Sequence, residues 1–236
     1  MNVNVFLLDH LHDLAEQSFE KGTVFSSFLS LDEQHLLFMH KKDFQYVEYR
    51  YHKQEDYLRR MLCFGEPKAY PILLLKASHP GEITHRDVLG SFMSLGLERS
   101  TLGNIKVTDE AIYLEILEHV APLVERELTQ VKRAEVSFKR TDEEVDFTPR
   151  MKAEEVIISS NRLDAVLSGL YKLSRQDAKE LIDHHKVMIQ RREARAAVSL
   201  VEGDVVSVRG FGKFIYQGVL RQTKKERYVV NLHVFT

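Results

Sequence analysis

The 236-residue chain is 44% hydrophobic and 29% charged, with a formal net charge of −2, so it can bury one large core or two smaller ones and is neither disordered nor fibrous. Its single cysteine excludes an internal disulfide, and without His and Cys at zinc spacing we expect no structural metal and a reducing, cytoplasmic location. The first twenty residues lack Lys and Arg, and the longest uninterrupted apolar run, residues 72–75, is too short to span a bilayer, so we expect neither a targeting nor a membrane segment.

Residues 1–66 are predicted to form a helical N-terminal region. The helical spacing of five residues predicts a first helix, namely Leu11, Leu14, Ala15, Ser18 and Phe19. Ser30 and Glu33 form a capping box that predicts a second helix running to about Lys41. The aromatic stretch "FQYVEYRY" favours a strand, and "EDYLRRMLCF" predicts a further helix closed by Gly65.

Residues 67–140 are predicted to form a ferredoxin-like domain. A strand in "YPILLLKAS" is followed by a helix that Thr84 and Asp87 cap, a hairpin around Thr108, a helix over 119–131 and a strand over 133–138. This order is that of a ferredoxin-like sandwich, which the four-stranded RNA-recognition fold shares. Its usual aromatic RNA-stacking motif is not present, so the predicted fold does not by itself predict function. Capping also explains the polar run 84–87 better than catalysis does.

The C-terminal part of the chain is basic and the rest is acidic. Residues 141–160 are charged, contain Pro149 and have no sustained period, so we interpret them as a linker. Residues 162–236 hold 14 Lys and Arg against 8 Asp and Glu, a net charge of +6, whereas residues 1–161 carry −8. Such asymmetry indicates a polyanionic partner for the domain formed by residues 161–236.

The segment "RLDAVLSGLYKLSRQDAKELI" predicts two helices that present positive charge. Residues 163–170 form the first, and a capping box of Ser174 and Asp177 opens the second. Arg175 and Lys179 lie along one margin of its apolar face, and Asp183 partly offsets their charge. Strands are predicted in "KVMIQ", "DVVSVR", "KFIYQ" and "RYVVNLHVF".

Two connections in this domain concentrate cations. Arg191, Arg192 and Arg195 crowd the first, and "RGFGKFIY" interleaves Arg209 and Lys213 with aromatic residues that include Phe211. Cations meet phosphates and exposed aromatic rings stack on unpaired bases, so these residues are candidates for RNA contact.

The order RLD, SR, AK and EGD over residues 161–216 resembles the RNA-binding domain named after the fourth small-subunit ribosomal protein, here called the S-four-type domain. The resemblance implies that structured RNA faces six residues, namely Arg162, Ser174, Arg175, Lys179, Lys186 and Arg191. The chain departs from the usual pattern at two turns: His185 stands where Gly is usual, and Gln190-Arg191 where Asn-Gly is usual.

With "LDEQHLLFMH", "ITHRDVLGSFMSLGLERSTLGNIKV" and "SVRGFGKFIY", the whole chain is similar to the YlmH-type family of bacterial RNA-binding proteins. The resemblance implies a ribosome-associated protein linked to translation quality control and cell division. It implies a non-enzymatic partner of the large ribosomal subunit that binds ribosomal RNA or tRNA without a cofactor.

Parts of the sequence also resemble those of enzymes or allow other functions. "RLDAVLSGL" superficially resembles the catalytic segment of pseudouridine synthases, but here it begins the small domain, and we interpret Asp164 as a first-turn residue that favours the helix dipole. The ATP-binding motifs of tyrosyl-tRNA synthetases are not found, and adjacent His184 and His185 point apart, which disfavours a metal site. A protein-interaction scaffold whose acidic N-terminal half binds a protein partner, and an accessory factor for ribosomal RNA modification, stay open.

Overall fold

Helices and antiparallel strands alternate along the chain in a computed structural model that describes residues 3–54, 57–190 and 192–236. The predicted α/β (α+β) class is confirmed. Two compact units are present, Met1–Thr148 and Pro149–Thr236, so the predicted N-terminal region and ferredoxin-like domain lie within one unit. Within the described residues, no helix combines the length and apolar character needed to cross a membrane.

The N-terminal part of the first unit packs two helices against a three-stranded sheet of order β1-β3-β2. Its elements are α1 (Val3–Lys21), β1 (Val24–Ser30), α2 (Leu31–Met39), β2 (Tyr49–Tyr51) and β3 (Arg59–Phe64). The two predicted helices are present, and a capping box of Ser30 and Glu33 opens the second.

The helix predicted in "EDYLRRMLCF" is wrong over residues 59–64, which form the strand β3; residues 55 and 56 lie outside the described residues. All six residues of β3 are buried because the strand is central in its sheet. A strand buried on both faces shows no alternation of polar and apolar residues, so its sequence cannot be told from that of a buried helix. The strand predicted over 44–51 is shortened to β2, and a 3₁₀ turn occupies Lys41–Phe44.

The second part of the first unit has the predicted ferredoxin-like topology. Its elements are β4 (Ile72–Ser78), α3 (His85–Met93), β5 (Leu102–Val107), β6 (Ala111–Leu117), α4 (Ala121–Glu127), β7 (Gln130–Val131), β8 (Ala134–Glu135) and β9 (Lys139–Arg140). The sheet order β5-β6-β4-β9 is antiparallel throughout, which is the arrangement of a split β-α-β pair. The predicted last strand, 133–138, is displaced: residues 134–135 form a small hairpin with β7, and β9 completes the sheet.

A buried polar network joins the two sheets of the first unit. The Glu115 carboxylate accepts hydrogen bonds from Asn104 Nδ2 at 2.6 Å and lies 3.2 Å from His52 Nε2. The backbone amide of Met61 donates to His52 Nδ1 at 2.9 Å, so Nε2 carries the ring proton and donates to Glu115. Asn104 also bonds both backbone groups of Arg59, which places β5 beside β3.

The second unit is a six-stranded antiparallel sheet with a helix pair packed on it. Its elements are β10 (Met151–Ile158), α5 (Leu163–Tyr171), α6 (Arg175–Asp183), β11 (Val187–Ile189), β12 (Arg192–Glu193), β13 (Val205–Val208), β14 (Gly212–Gln222) and β15 (Tyr228–Phe235). The sheet order is β10-β15-β14-β13-β11-β12. Its apolar face and the helices share one core that contains Leu163, Val166, Ile182 and Phe214.

The linker predicted over 141–160 is wrong for residues 151–158, which form β10. This strand pairs along eight residues with β15 at the edge of the sheet. Only Val156 and Ile158 are buried, and three of the other six residues are charged, namely Lys152, Glu154 and Glu155. An edge strand with one short apolar stretch lacks the alternation by which sequence analysis recognises strands.

Candidate nucleic-acid interface

The helix pair of the second unit places its cations through local capping. α5 ends at Tyr171, and the next residue, Lys172, has a left-handed φ of 54° that turns the chain toward α6. The predicted capping box is present at the start of α6: the Asp177 amide donates to Ser174 Oγ at 3.0 Å, and the Ser174 amide donates to the Asp177 carboxylate at 3.3 Å. Ser174 therefore fixes where α6 begins, and Arg175 is its first residue.

The carboxylate of Asp164 holds two predicted site residues side by side. Arg162 donates to it from Nε at 3.2 Å and from Nη2 at 3.1 Å, and Arg175 donates from Nη2 at 2.7 Å. The Asp164 side chain is only 6% exposed, whereas the side chains of Arg162 and Arg175 are 45% and 42% exposed. A buried anion thus orients two half-exposed guanidinium groups, here called the arginine clamp.

The clamp also decides the charge state of Asp164. Burial raises the pKa of this carboxyl, but the hydrogen bonds and charges of Arg162 and Arg175 outweigh that effect and lower the pKa below its usual value of 3.8. The carboxylate is therefore ionised at neutral pH, and the three groups together carry a charge of +1. The interpretation of Asp164 as a helix-dipole residue alone omits this role, which depends on Arg175 in the next helix.

Three further predicted cations are exposed near these helices. Lys179 lies one turn after Arg175 on α6, and neither Lys179 nor Lys186 forms an ion pair within the described chain. The offset of Lys179 by Asp183 is therefore not seen as a direct contact. The Arg209 amide donates to the Lys186 carbonyl at 2.8 Å, which brings together the residue that follows β13 and the residue that precedes β11.

The two turns at which the sequence departs from the S-four-type pattern adopt glycine-like backbone. His185 has a φ of 55° and Gln190 a φ of 49°, so both are left-handed without being glycine. The His185 ring contacts the Glu193 carboxylate at 3.0 Å, and His184 Nδ1 lies 2.7 Å from the Glu180 carbonyl, so each ring has its own partner. Arg191 lies outside the described residues.

The glycine-flanked connection between β13 and β14 carries one exposed aromatic residue, Phe211, whereas the following Phe214 and Tyr216 are buried in the core. Phe211 is 43% exposed, and its ring centroid lies 4.9 Å from that of Tyr171 at the end of α5. Arg209 is exposed in the same turn, and the ammonium of Lys213 lies 5.1 Å from the Phe235 ring centroid. Burial raises the pKa of the Tyr171 phenol to about 12, so it stays neutral. Arg192 is exposed in β12, away from this turn in sequence.

The tip of the β14–β15 hairpin is a basic segment that the predicted site omits. Lys224, Lys225 and Arg227 are exposed there, next to exposed Val219 and Leu220. The charge run "KKER" is the signal in the sequence that could have indicated it.

In the first unit, the polar run 84–87 is a helix cap, as predicted. The Asp87 amide donates to Thr84 Oγ1 at 3.3 Å, and the Asp87 carboxylate accepts from the Thr84 amide at 2.9 Å. The Thr84 hydroxyl also donates to the Asp87 carboxylate at 2.7 Å, and this hydrogen bond, followed by that of the Thr84 amide, lowers the pKa of Asp87 below its usual value. An ionised acid at a helix N-terminus is stabilising, so this arrangement needs no catalytic explanation.

Comparison with known proteins shows similarity to YlmH-type proteins over part of the chain. A family model described as "Putative RNA-binding domain in YlmH" matches residues 67–144, the ferredoxin-like part of the first unit. The chain is 32% identical over 151 residues to the "Ribosome-associated protein quality control protein P2" of Bacillus subtilis, an alignment that covers 63% of this chain and 59% of that protein. The resemblance to YlmH-type proteins is confirmed.

A solved structure agrees in fold. The "Cell division protein ylmH from Streptococcus pneumoniae" matches with a TM-score of 0.50 and 18% identity, covering 60% of this chain and 93% of that one. The match to the YlmH family model falls on residues 67–144, the ferredoxin-like part, whereas the predicted RNA-binding residues lie within 161–236. The S-four-type assignment of the second unit stays a prediction.

Proposed function

We propose that this protein is a non-catalytic RNA-binding protein that docks on structured ribosomal RNA or tRNA at the large ribosomal subunit, in the cytoplasm, during translation quality control. Support comes from the RNA-binding family match and from a relative named for ribosome-associated quality control. A link to cell division is proposed from the name of the structural neighbour.

The observation that carries the proposal is the arginine clamp beside Lys179. Planar guanidinium groups bind phosphate through two parallel hydrogen bonds, and a fixed orientation reduces the entropy lost on binding. Phosphate contacts position a protein on folded RNA, and the wide minor groove of an RNA helix is recognised by shape. Arg162 and Arg175 are oriented by Asp164 yet remain half exposed, as phosphate contact requires.

The proposal is tested by binding of purified large ribosomal subunits across a salt series. We compare the wild type with Lys179→Glu/Lys186→Glu, because both lysines are exposed and neither is part of the clamp, so we expect the fold to be preserved; circular dichroism checks this. The matched control is Lys224→Glu/Lys225→Glu, which makes the same charge change at the hairpin tip. We expect the first variant to lose most affinity and to show a plot of log affinity against log salt about 2 units shallower, and the control to lose less.

Two outcomes contradict the proposal. Equal loss in both double variants indicates attraction by net charge without a defined surface. Wild-type affinity in Lys179→Glu/Lys186→Glu favours the scaffold alternative, in which the acidic half of the chain is the working surface.

A further inference from the structure

The ferredoxin-like sheet of the first unit has one face covered by helices and one face that carries a row of cations around a tyrosine. Tyr113 on β6 pairs with Lys106 on β5 and with Lys76 on β4, and Lys76 pairs in turn with Lys139 on β9. Directly paired residues share a face of the sheet. The neighbouring pair Leu75 and Leu114 is buried in the core with the helices, so the row lies on the opposite face.

An acidic segment of the same chain, residues 142–147, crosses this row and is here called the acidic strap. Glu143 accepts a hydrogen bond from Lys76 Nζ at 2.6 Å and one from the Tyr113 hydroxyl at 2.9 Å. Lys106 Nζ donates to the Asp146 carbonyl at 2.8 Å, so the strap spans from β4 to β5. The hydrogen bond from Lys76 is the main reason that the pKa of Glu143 is lowered, and the carboxylate is ionised.

The acidic strap is anchored by its buried last residue, Phe147, and a cleft separates part of the strap from the sheet. Phe147 is 9% exposed, whereas Glu143, Glu144 and Asp146 are exposed. A cleft of about 620 Å³ lies between the strap and the sheet, lined by Ile72, Leu74 and Glu115 among others. Exposed ion pairs such as that of Lys76 and Glu143 hold weakly, so a polyanion can compete with them.

We propose that the row Lys106, Tyr113, Lys76 and Lys139 binds unpaired RNA, and that Glu143 of the acidic strap occupies the site in the free protein. An aromatic ring in the centre of a four-stranded antiparallel sheet stacks on a base, and lysines on either side contact the flanking phosphates. The Glu143 carboxylate takes the place of a phosphate at Lys76. This site is separate from the arginine clamp and binds a different form of RNA.

The experiment measures binding of a fluorescent twelve-nucleotide oligouridylate to the full chain by anisotropy across a salt series. Glu143→Gln removes the competing charge and is expected to raise affinity about fivefold, the scale of one exposed ion pair. Its control is Asp109→Asn, an equal charge change at the exposed hairpin turn of the same unit. Tyr113→Ala is expected to lower affinity about 5- to 100-fold through lost stacking, whereas Tyr113→Phe keeps the ring and is expected to bind at least as tightly as the wild type.

Repeating the series in Lys179→Glu/Lys186→Glu separates this site from the second unit. The effects of Tyr113→Ala and Glu143→Gln are expected to persist in that background, even if Lys179→Glu/Lys186→Glu itself does not change the binding of ribosomal subunits. A cross-link from a 4-thiouridine oligonucleotide to the peptide that contains Tyr113, in the wild-type protein, is expected independently of any folding defect in a variant. Cross-links confined to other peptides, or equal affinities of Glu143→Gln and Asp109→Asn, overturn the proposal.

Discussion

Asp164→Asn tests whether one buried carboxylate organises the arginine clamp. The substitution keeps the shape of the side chain but removes the charge that accepts three hydrogen bonds, at 3.2, 3.1 and 2.7 Å. Hydrogen bonds to charged groups contribute about 1.5–3 kcal/mol each, but both donors are close to half exposed, so we expect a net loss of about 2 kcal/mol in the free energy of unfolding.

The assay is amide hydrogen exchange of the full chain, followed in peptides from α5 and α6. A loss of about 2 kcal/mol accelerates exchange of their most protected amides roughly 30-fold. The control is Asp183→Asn, which makes the same charge change on an exposed residue without an ion-pair partner in the described parts of the chain. Exchange at the wild-type rate in Asp164→Asn would refute the clamp as a stabilising element.

The same variant distinguishes orientation from net charge in RNA binding. If only net charge matters, removing a negative charge raises the affinity for RNA. We expect this higher affinity for Asp183→Asn. Asp164→Asn instead frees two guanidinium groups, and ordering them again on binding costs about 0.5–1.5 kcal/mol each. We therefore expect about tenfold weaker binding to ribosomal subunits, and tighter binding would refute the reasoning.

Three further predictions concern stability. Because folding lowers the pKa of Asp164, its carboxylate stabilises the fold at pH values above the usual pKa of 3.8, and this stabilisation is lost as pH falls through the lower folded pKa. In acid titrations we therefore expect the difference in free energy of unfolding between wild type and Asp164→Asn to shrink below about pH 4. Glu115→Ala leaves the donors of His52 and Asn104 unpaired and is expected to cost about 3 kcal/mol in urea denaturation, with Glu115→Gln, which keeps one acceptor, costing about half. Gly65→Ala is expected to lower stability more than Gly22→Ala. Both glycines have positive φ, but only at Gly65 would an added Cβ meet a backbone oxygen, that of Gly22, at 2.0 Å. Equal unfolding midpoints of the two variants would contradict this.

Features that depend on neighbours in sequence could be predicted. The capping boxes at Ser30, Thr84 and Ser174 are each formed by residues three apart, and all three open helices. The order of strands and helices over 67–140 predicted the ferredoxin-like sheet because that fold follows from element order and short connections. These predictions required no knowledge of distant contacts.

Features that depend on contacts between distant parts of the chain could not be predicted from the sequence. The sequence of β3 predicts a helix because both faces of the strand are buried. The sequence of β10 predicts a linker because the partner strand, β15, is far along the chain. The candidate site shows the same division: the exposed cations were identifiable by type and spacing, but the role of Asp164 depends on Arg175 in a different helix. Likewise, the row around Tyr113 emerges only when strand register is known.

The pairing of β10 with β15 determines how the second unit responds to mechanical force. Met151 lies opposite Phe235, so the outer ends of these antiparallel strands are neighbours at one edge of the sheet. Force applied between those two residues acts at one end of the strand pair, so it separates the eight residue pairs one after another. It does not stretch all eight pairs at the same time. We therefore expect the unit to open first at the outer end of this pairing, and the core that Val156 and Ile158 share with the helices to open only when the inner end of the strand pair separates.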